Sequence, residues 1–214
     1  MSEDPLERPH VWTPGTTTPP LLLLHGTGGD EYDLLVLRPY LAPDAPVLSP
    51  RGTVSEQGMA RFFRRHQEGV FDEDDLRLRA DEMAAFLTAA EQKYDVPAGT
   101  WVAVGFSNGA NMASALLLRH PESLAGAVLL AAMVPFAADE PEDNALAGKR
   151  VLIVNGDIDP MATAEQTARL TAQLRRRAAD VELLTFRGGH TIDPDQLPRI
   201  KQFVDTFNPS PESP

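Results

Sequence analysis

Short apolar runs alternate along this chain with longer segments whose apolar positions recur at helical spacing, as in a parallel sheet covered by helices on both faces. The runs are Leu21 to Leu24, Pro46 to Ser49, Trp101 to Phe106, Ala127 to Ala131, Val151 to Asn155 and Val181 to Phe186, and each is a candidate strand. The last lacks a clean two-residue alternation, so the pattern does not assign its faces. Leu76 to Tyr94 places Leu76, Met83, Phe86, Leu87 and Ala90 at roughly helical spacing and ends near Pro97, which predicts a helix. Asn108 to Arg119 predicts another. Thr163 to Ala178 predicts a third, with Thr163 as N-cap, Ala168, Leu170 and Leu174 packing inward, and Arg175, Arg176 and Arg177 complementing the dipole at the carboxyl end. Asp195 to Phe207 closes the series, with Leu197, Ile200, Phe203, Val204 and Phe207 on its buried side.

The chain has 214 residues, 43% of them hydrophobic, which suits one domain with a substantial core, spanning about 21–207 between loose ends. Its 31 acidic and 19 basic residues leave a net charge of -12, the wrong sign for a nucleic-acid surface. Cysteine is absent, which removes disulfides, thiolate metal sites and a cysteine nucleophile together. Met1 to Pro20 holds acids, prolines and threonines but no apolar core segment, so it does not read as a secretory signal, and a cytoplasmic location is expected. The most apolar stretch, Ala125 to Ala138, is shorter than the roughly 18 residues of a membrane span. It reads as an inner strand.

The chemistry centres on Gly105-Phe106-Ser107-Asn108-Gly109, a G-x-S-x-G motif between a candidate strand and a candidate helix. In a strand-to-helix turn this tight the serine takes a strained backbone conformation, and side chains at 105 or 109 would collide with neighbouring elements. Ser107 is therefore the candidate nucleophile. A serine hydroxyl needs a base within hydrogen-bond reach and a third group that orients the base. Of the five histidines, His10 and His66 lie in polar surroundings and read as solvated, His120 ends the helix after Ser107, and His25 reads as shaping the loop after the first strong strand. His190, in Gly188-Gly189-His190-Thr191 after the last strand, is the candidate base.

The acid belongs in the loop after Val151 to Asn155, where Asp157 and Asp159 compete. Asp159 is preferred because it lies further out and precedes Pro160, whereas Asp157 suits an Asx turn. Asp139, Asp180, Asp193 and Asp195 read as surface residues. Two backbone N–H groups are expected to face the oxyanion of an acyl-transfer intermediate. Asn108 follows the nucleophile at a helix amino end, and Thr27 lies in the glycine-rich His25-Gly26-Thr27-Gly28-Gly29-Asp30. That loop lacks the Lys-Ser/Thr of a phosphate loop and the spacing of a dinucleotide fingerprint.

These motifs, with Ser49-Pro50-Arg51-Gly52, make the chain resemble the bacterial phospholipase/carboxylesterase family, relatives of acyl-protein thioesterases. The resemblance implies an α/β-hydrolase fold, a mostly parallel sheet flanked by helices without a large cap. It selects Asp159 as the acid, implies hydrolysis of carboxylic esters or thioesters with no cofactor and no metal ion, and extends to a homodimer. The expected substrate is a small-molecule ester; thioesterase or lysophospholipase chemistry would use the same residues. A non-catalytic binding module on the same fold is the rival from another class, and it predicts a lapsed triad, whereas no triad position is substituted here. Relatives often carry Val and then Pro after the acid loop; here Pro160 leads into Met161-Ala162-Thr163, which makes Met161 a cleft candidate.

Thr53 to Asp75 is a long connection whose aromatic residues suggest that it folds over something. It is a candidate cleft wall, lined by Phe62, Phe63 and Phe71, unless those rings instead anchor it to the core. Arg61, Arg64 and Arg65 either attract an anionic substrate or balance Asp72 to Asp75.

Overall fold

A computed structural model describes residues 5–138 and 143–208. Asp139 and the expected loose tail beyond residue 208 lie outside the described residues. The strands in chain order are β1 (His10–Thr13), β2 (Leu21–Leu24), β3 (Val47–Pro50), β4 (Val54–Glu56), β5 (Met59–Arg61), β6 (Arg65–Gln67), β7 (Val70–Phe71), β8 (Val102–Phe106), β9 (Gly126–Leu130), β10 (Arg150–Gly156) and β11 (Asp180–Phe186). The helices are α1 (Arg38–Leu41), α2 (Glu73–Tyr94), α3 (Asn108–Arg119), α4 (Ala164–Arg176) and α5 (Leu197–Asp205). A seven-stranded sheet runs in the order β1-β3-β2-β8-β9-β10-β11. Only β1 is antiparallel to its neighbour; every other pair in this sheet is parallel.

Alternate residues of the inner strands feed two separate cores. Leu22, Leu24, Ala103, Leu129 and Ile153 pack with Phe86 of α2, Leu116 of α3 and Leu170 of α4. Leu21, Leu23, Val104, Val128 and Val154 pack on the other face with Leu41 of α1 and with Ile200, Phe203 and Val204 of α5. All four leucines of β2 are fully buried because both faces are covered, which is why the strand reads as a continuous apolar run. Each such leucine contributes about 1.5–3 kcal/mol of burial free energy. This architecture, with no large cap, is the α/β-hydrolase fold.

Helix α2 begins earlier than its apolar spacing indicated. Asp72 caps it by accepting from the Asp75 N–H at 3.1 Å, and Glu73, Asp74 and Asp75 in the first turn suit the helix dipole. Thr163 caps α4, accepting from the Gln166 N–H at 3.3 Å. The 53–75 connection forms two small hairpins, β4–β5 and β6–β7, rather than an irregular loop. Gln57 and Gly58 both have positive φ in the first turn, the backbone twist that closes a two-residue hairpin. His10 is not a solvated histidine: its ring lies edge-on to Phe86 at 5.3 Å, and Nε2 lies 2.6 Å from the Tyr94 hydroxyl. His120 pairs with Asp81 at 2.7 Å, on the far end of α3 from Ser107.

The chain crosses from β8 to α3 through a single residue, Ser107, held at φ 53° and ψ -114°. Left-handed backbone of this kind costs a non-glycine residue about 1–3 kcal/mol, so its surroundings must enforce it. They do so by backbone contact. A Cβ on Gly109 would lie 2.0 Å from the Leu24 carbonyl oxygen, and one on Gly105 would lie 2.6 Å from the Gly109 backbone. The Ser107 N–H donates to Leu130 O at 2.8 Å and ties the turn to β9. Gly109→Ala is accordingly expected to lower unfolding stability by about 3 kcal/mol or more, measured by urea denaturation; a loss under about 0.5 kcal/mol would contradict this close packing.

Candidate active site

Three loops at the carboxyl ends of β8, β10 and β11 carry Ser107, Asp159 and His190 to one point. The His190 Nε2 lies 2.8 Å from Ser107 Oγ, and its Nδ1 lies 2.8 Å from Asp159 Oδ2. The other carboxylate oxygen of Asp159, Oδ1, accepts the N–H groups of Met161 at 2.8 Å and Ala162 at 3.0 Å. Its side chain is fully buried, whereas the imidazole remains partly open to the cleft. A carboxylate so buried and so fully bonded is fixed in orientation, and it fixes the ring in turn. Phe106 supports the same ring from the side, with centroids 5.4 Å apart.

Asp157 stands two residues away and does something different. Its Oδ1 accepts the Gly188 N–H at 3.0 Å, while the Ile158 N–H donates to Gly188 O at 3.0 Å. The Asp159 loop and the His190 loop are thereby stitched together by the Asp157 carboxylate and a backbone bond. Asp157 braces the two loops; Asp159 meets the imidazole.

Ser107 and His190 open onto a cleft of about 250 Å³ that is also lined by Thr27, Asn108, Phe71 and Met161. Among the described residues, neither the Thr27 nor the Asn108 backbone N–H has a protein acceptor, so both are free to bind a ligand oxygen. Phe62 and Phe63 do not line the cleft. They are 1% and 0% exposed, and Phe62 packs tilted on the His25 ring at 4.6 Å while Phe63 meets Phe71 edge-on at 5.1 Å. Two adjacent residues can both be buried here because the chain bends at Phe62 and Phe63 on leaving β5 and fills space beside α2. Phe71 is the ring that reaches the cleft.

The motif reading did not identify Phe106, Asn111, Met133, Glu68 or Gly69 as lining residues, yet all contribute. Asn111 lies one helical turn beyond Ser107, a spacing that puts both on the same side of α3 and is visible in the sequence. Met133 follows the end of β9 and is reached only through the tertiary fold. Of the arginines, Arg64 pairs with Asp72 and Asp75, whereas Arg61 and Arg65 both pair with Glu56 and lie in the cleft wall. Among the described residues no three His, Asp or Glu side chains cluster as metal ligands would.

The fold and this constellation define an α/β-hydrolase. The chain belongs to the phospholipase/carboxylesterase family, which it matches over residues 13–208. It is 41% identical to MhqD of Bacillus subtilis over 194 residues, covering 91% of this chain and 96% of that protein. It is also similar to the carboxylesterase of Bacillus cereus, with 41% identity, a TM-score of 0.89 and coverage of 94% of each chain. A carboxylesterase from Mesorhizobium loti shares 29% identity and superposes with a TM-score of 0.83 over 89% of this chain and 90% of that one. The protein is a carboxylic ester hydrolase.

His25 holds the loop beside the site. Its Nε2 accepts the Gly52 N–H at 3.0 Å, so the ring proton sits on Nδ1, which donates to Gly26 O at 2.6 Å. Burial pushes this imidazole below the ordinary histidine range, against the Gly26 carbonyl and the nearby Asp33, Asp30 and Glu31, which pull it upward. The unfolded chain therefore takes up the proton first. Stability is full above about pH 6.5 and falls as pH is lowered from there toward the folded-state value. Urea denaturation at a series of pH values should show this slope and His25→Gln should flatten it; identical slopes in the two proteins would count against a neutral buried ring.

Proposed function

We propose that the enzyme hydrolyses small carboxylic esters through a Ser107-His190-Asp159 triad and an acyl-enzyme on Ser107. The observation that carries this reading is the unbroken hydrogen-bonded chain from Asp159 through His190 to Ser107, with both distances 2.8 Å, opening onto a cleft. In the first half-reaction His190 Nε2 takes the Ser107 proton as Oγ attacks the ester carbonyl. The Asp159 carboxylate holds Nδ1–H and offsets the charge that then forms on the ring. The backbone N–H groups of Thr27 and Asn108 meet the carbonyl oxygen as it becomes an oxyanion, Asn108 with the added field of the α3 amino end. When the intermediate collapses, His190 passes the proton to the departing alcohol. Water repeats the sequence on the acyl-enzyme and releases the acid.

The cleft volume of about 250 Å³ lies below the roughly 300–1,000 Å³ of sites that enclose drug-sized ligands, which supports a short acyl group. Phe71 and Met161 would provide its apolar walls. We propose further that the enzyme acts on a small molecule in the cytoplasm, as the Met1 to Pro20 stretch without a signal-like apolar segment suggested.

Steady-state kinetics on a series of esters differing in acyl length tests the assignment. Ser107→Ala is expected to lose about a million-fold in kcat, and Asp159→Asn about ten-thousand-fold, with the protein still folded. Asp157→Asn should retain more activity than Asp159→Asn, because it leaves the imidazole partner in place. Turnover by Ser107→Ala within tenfold of the parent would overturn the triad.

A further inference from the structure

The two proposed oxyanion donors come from loops far apart in sequence, and three consecutive residues at the exit of the β4–β5 hairpin, Ala60 to Phe62, tie down both loops. The Gly28 N–H donates to Ala60 O at 2.9 Å. Arg61 Nη1 donates to Thr27 Oγ1 at 2.6 Å. The Phe62 N–H donates to Asn108 Oδ1 at 2.7 Å. A main-chain bond from Gly28 to Ala60, a guanidinium bond from Arg61 to Thr27 and a bond from the Phe62 N–H to the Asn108 side chain thus tie this stretch to both loops that carry the proposed donors.

Arg61 itself is unusual in being an arginine only 3% exposed in the wall of an active-site cleft. A buried guanidinium persists only when its donors and charge are met. Its Nε donates to Phe63 O at 3.1 Å and lies 3.3 Å from Glu56 Oε2, and the group sits 5.7 Å from the centre of the Phe63 ring. Held on this side, it presents Nη1 to Thr27. A hydroxyl so gripped fixes the Thr27 residue, and with it the direction of the Thr27 N–H.

We propose that Arg61 is a positioning residue of the oxyanion hole, acting through the Thr27 hydroxyl rather than on substrate. The oxyanion forms only as the reaction proceeds, so correct aim of the Thr27 amide stabilises the transition state more than the bound ester. Loss of the brace should appear in kcat and leave KM nearly unchanged. An arginine serving as an anion-binding group for substrate would behave in the opposite way, raising KM for acidic esters. Against that role, Arg61 shares its carboxylate partner Glu56 with Arg65, and two of its donor nitrogens are already engaged.

The inference rests on the serine-hydrolase reading above, so the test begins by showing that ester turnover depends on Ser107. Failure there would remove that reading; Ser107-dependent turnover that ignores Thr27 would remove only this one. Thr27→Val keeps the backbone N–H and the branched side chain but deletes the acceptor of Arg61. It is expected to lower kcat by about a hundred-fold with KM within about threefold. Affinity for a trifluoromethyl ketone should weaken by the same factor as kcat, because Ser107 Oγ adds to that carbonyl as its proton passes to His190 Nε2, and the C=O π pair moves onto the oxygen that lies in the hole. Thr27→Ser, which restores the hydroxyl, should recover most of the loss. Arg61→Met should match Thr27→Val, and the double variant should be no slower than either, since both remove one interaction. Near-parental kcat in Thr27→Val, multiplying losses in the double variant, or a raised KM with unchanged kcat in Arg61→Met would each overturn the proposal. If Arg61→Met fails to fold, the comparison of Thr27→Val with Thr27→Ser decides the matter alone.

Discussion

The site depends on one steric constraint, the direct backbone contact between the start of α3 and the ends of β2 and β8. Gly109 lies so close to Leu24 O that no side chain fits between them, and a Cβ on Gly105 would likewise clash with the Gly109 backbone, at 2.6 Å. This contact sets the helix against the sheet at the end of β8, and the chain can join the two only by turning through Ser107 in a strained conformation. Strain of that order persists because a buried strand on one side and a buried helix on the other determine where both elements must lie. The hydroxyl then projects beyond the sheet, and the first free N–H of α3 lies next to it.

The remaining parts are fastened to this point by backbone bonds and by a few buried or short side chains. The Asp159 loop and the His190 loop are joined to each other through Asp157, Ile158 and Gly188, which fixes the spacing between the loops of the two side chains. From the opposite side, the β4–β5 hairpin reaches across to the Thr27 loop and to Asn108. Among the described residues no cap domain covers the cleft. Its outer wall is made instead by short hairpins in the 53–75 segment, with Phe62 and Phe63 driven into the core as anchors and Phe71 left at the cleft. A small enzyme obtains rigidity this way because hairpins satisfy their own backbone hydrogen bonds, where an irregular loop would leave them to water.

The inner sheet was legible in the sequence because buried parallel strands must be largely apolar, as Leu21 to Leu24 and Val151 to Val154 are. The edge strand β1 was not. His10-Val11-Trp12-Thr13 is half-exposed, is flanked by prolines, and becomes a strand only through its pairing with β3. The hairpins of 53–75 escaped notice for a related reason: Gln57-Gly58 is a weaker turn signal than Asn-Gly, and the strands are two or three residues long. Among candidate site residues, Ser107, Asp159 and His190 could be named because their chemistry demands particular loops in a particular order. Residues that shape the cleft, such as Met133 and Glu68, carry no such demand. Phe62 and Phe63 show the limit from the other side, since aromatic character alone does not distinguish a ring facing substrate from one facing the core.

On the proposed mechanism a single serine, at the turn between β8 and α3, is made nucleophilic by the imidazole beside it. The most direct measurement is peptide mass spectrometry after brief treatment with a fluorophosphonate near neutral pH, on the parent protein and on His190→Ala. Stoichiometric modification of Ser107 in the parent, with no other serine modified and the reaction abolished in the histidine variant, is the predicted result. A parent protein whose Ser107 stays unmodified, or one modified equally fast without His190, would contradict the account.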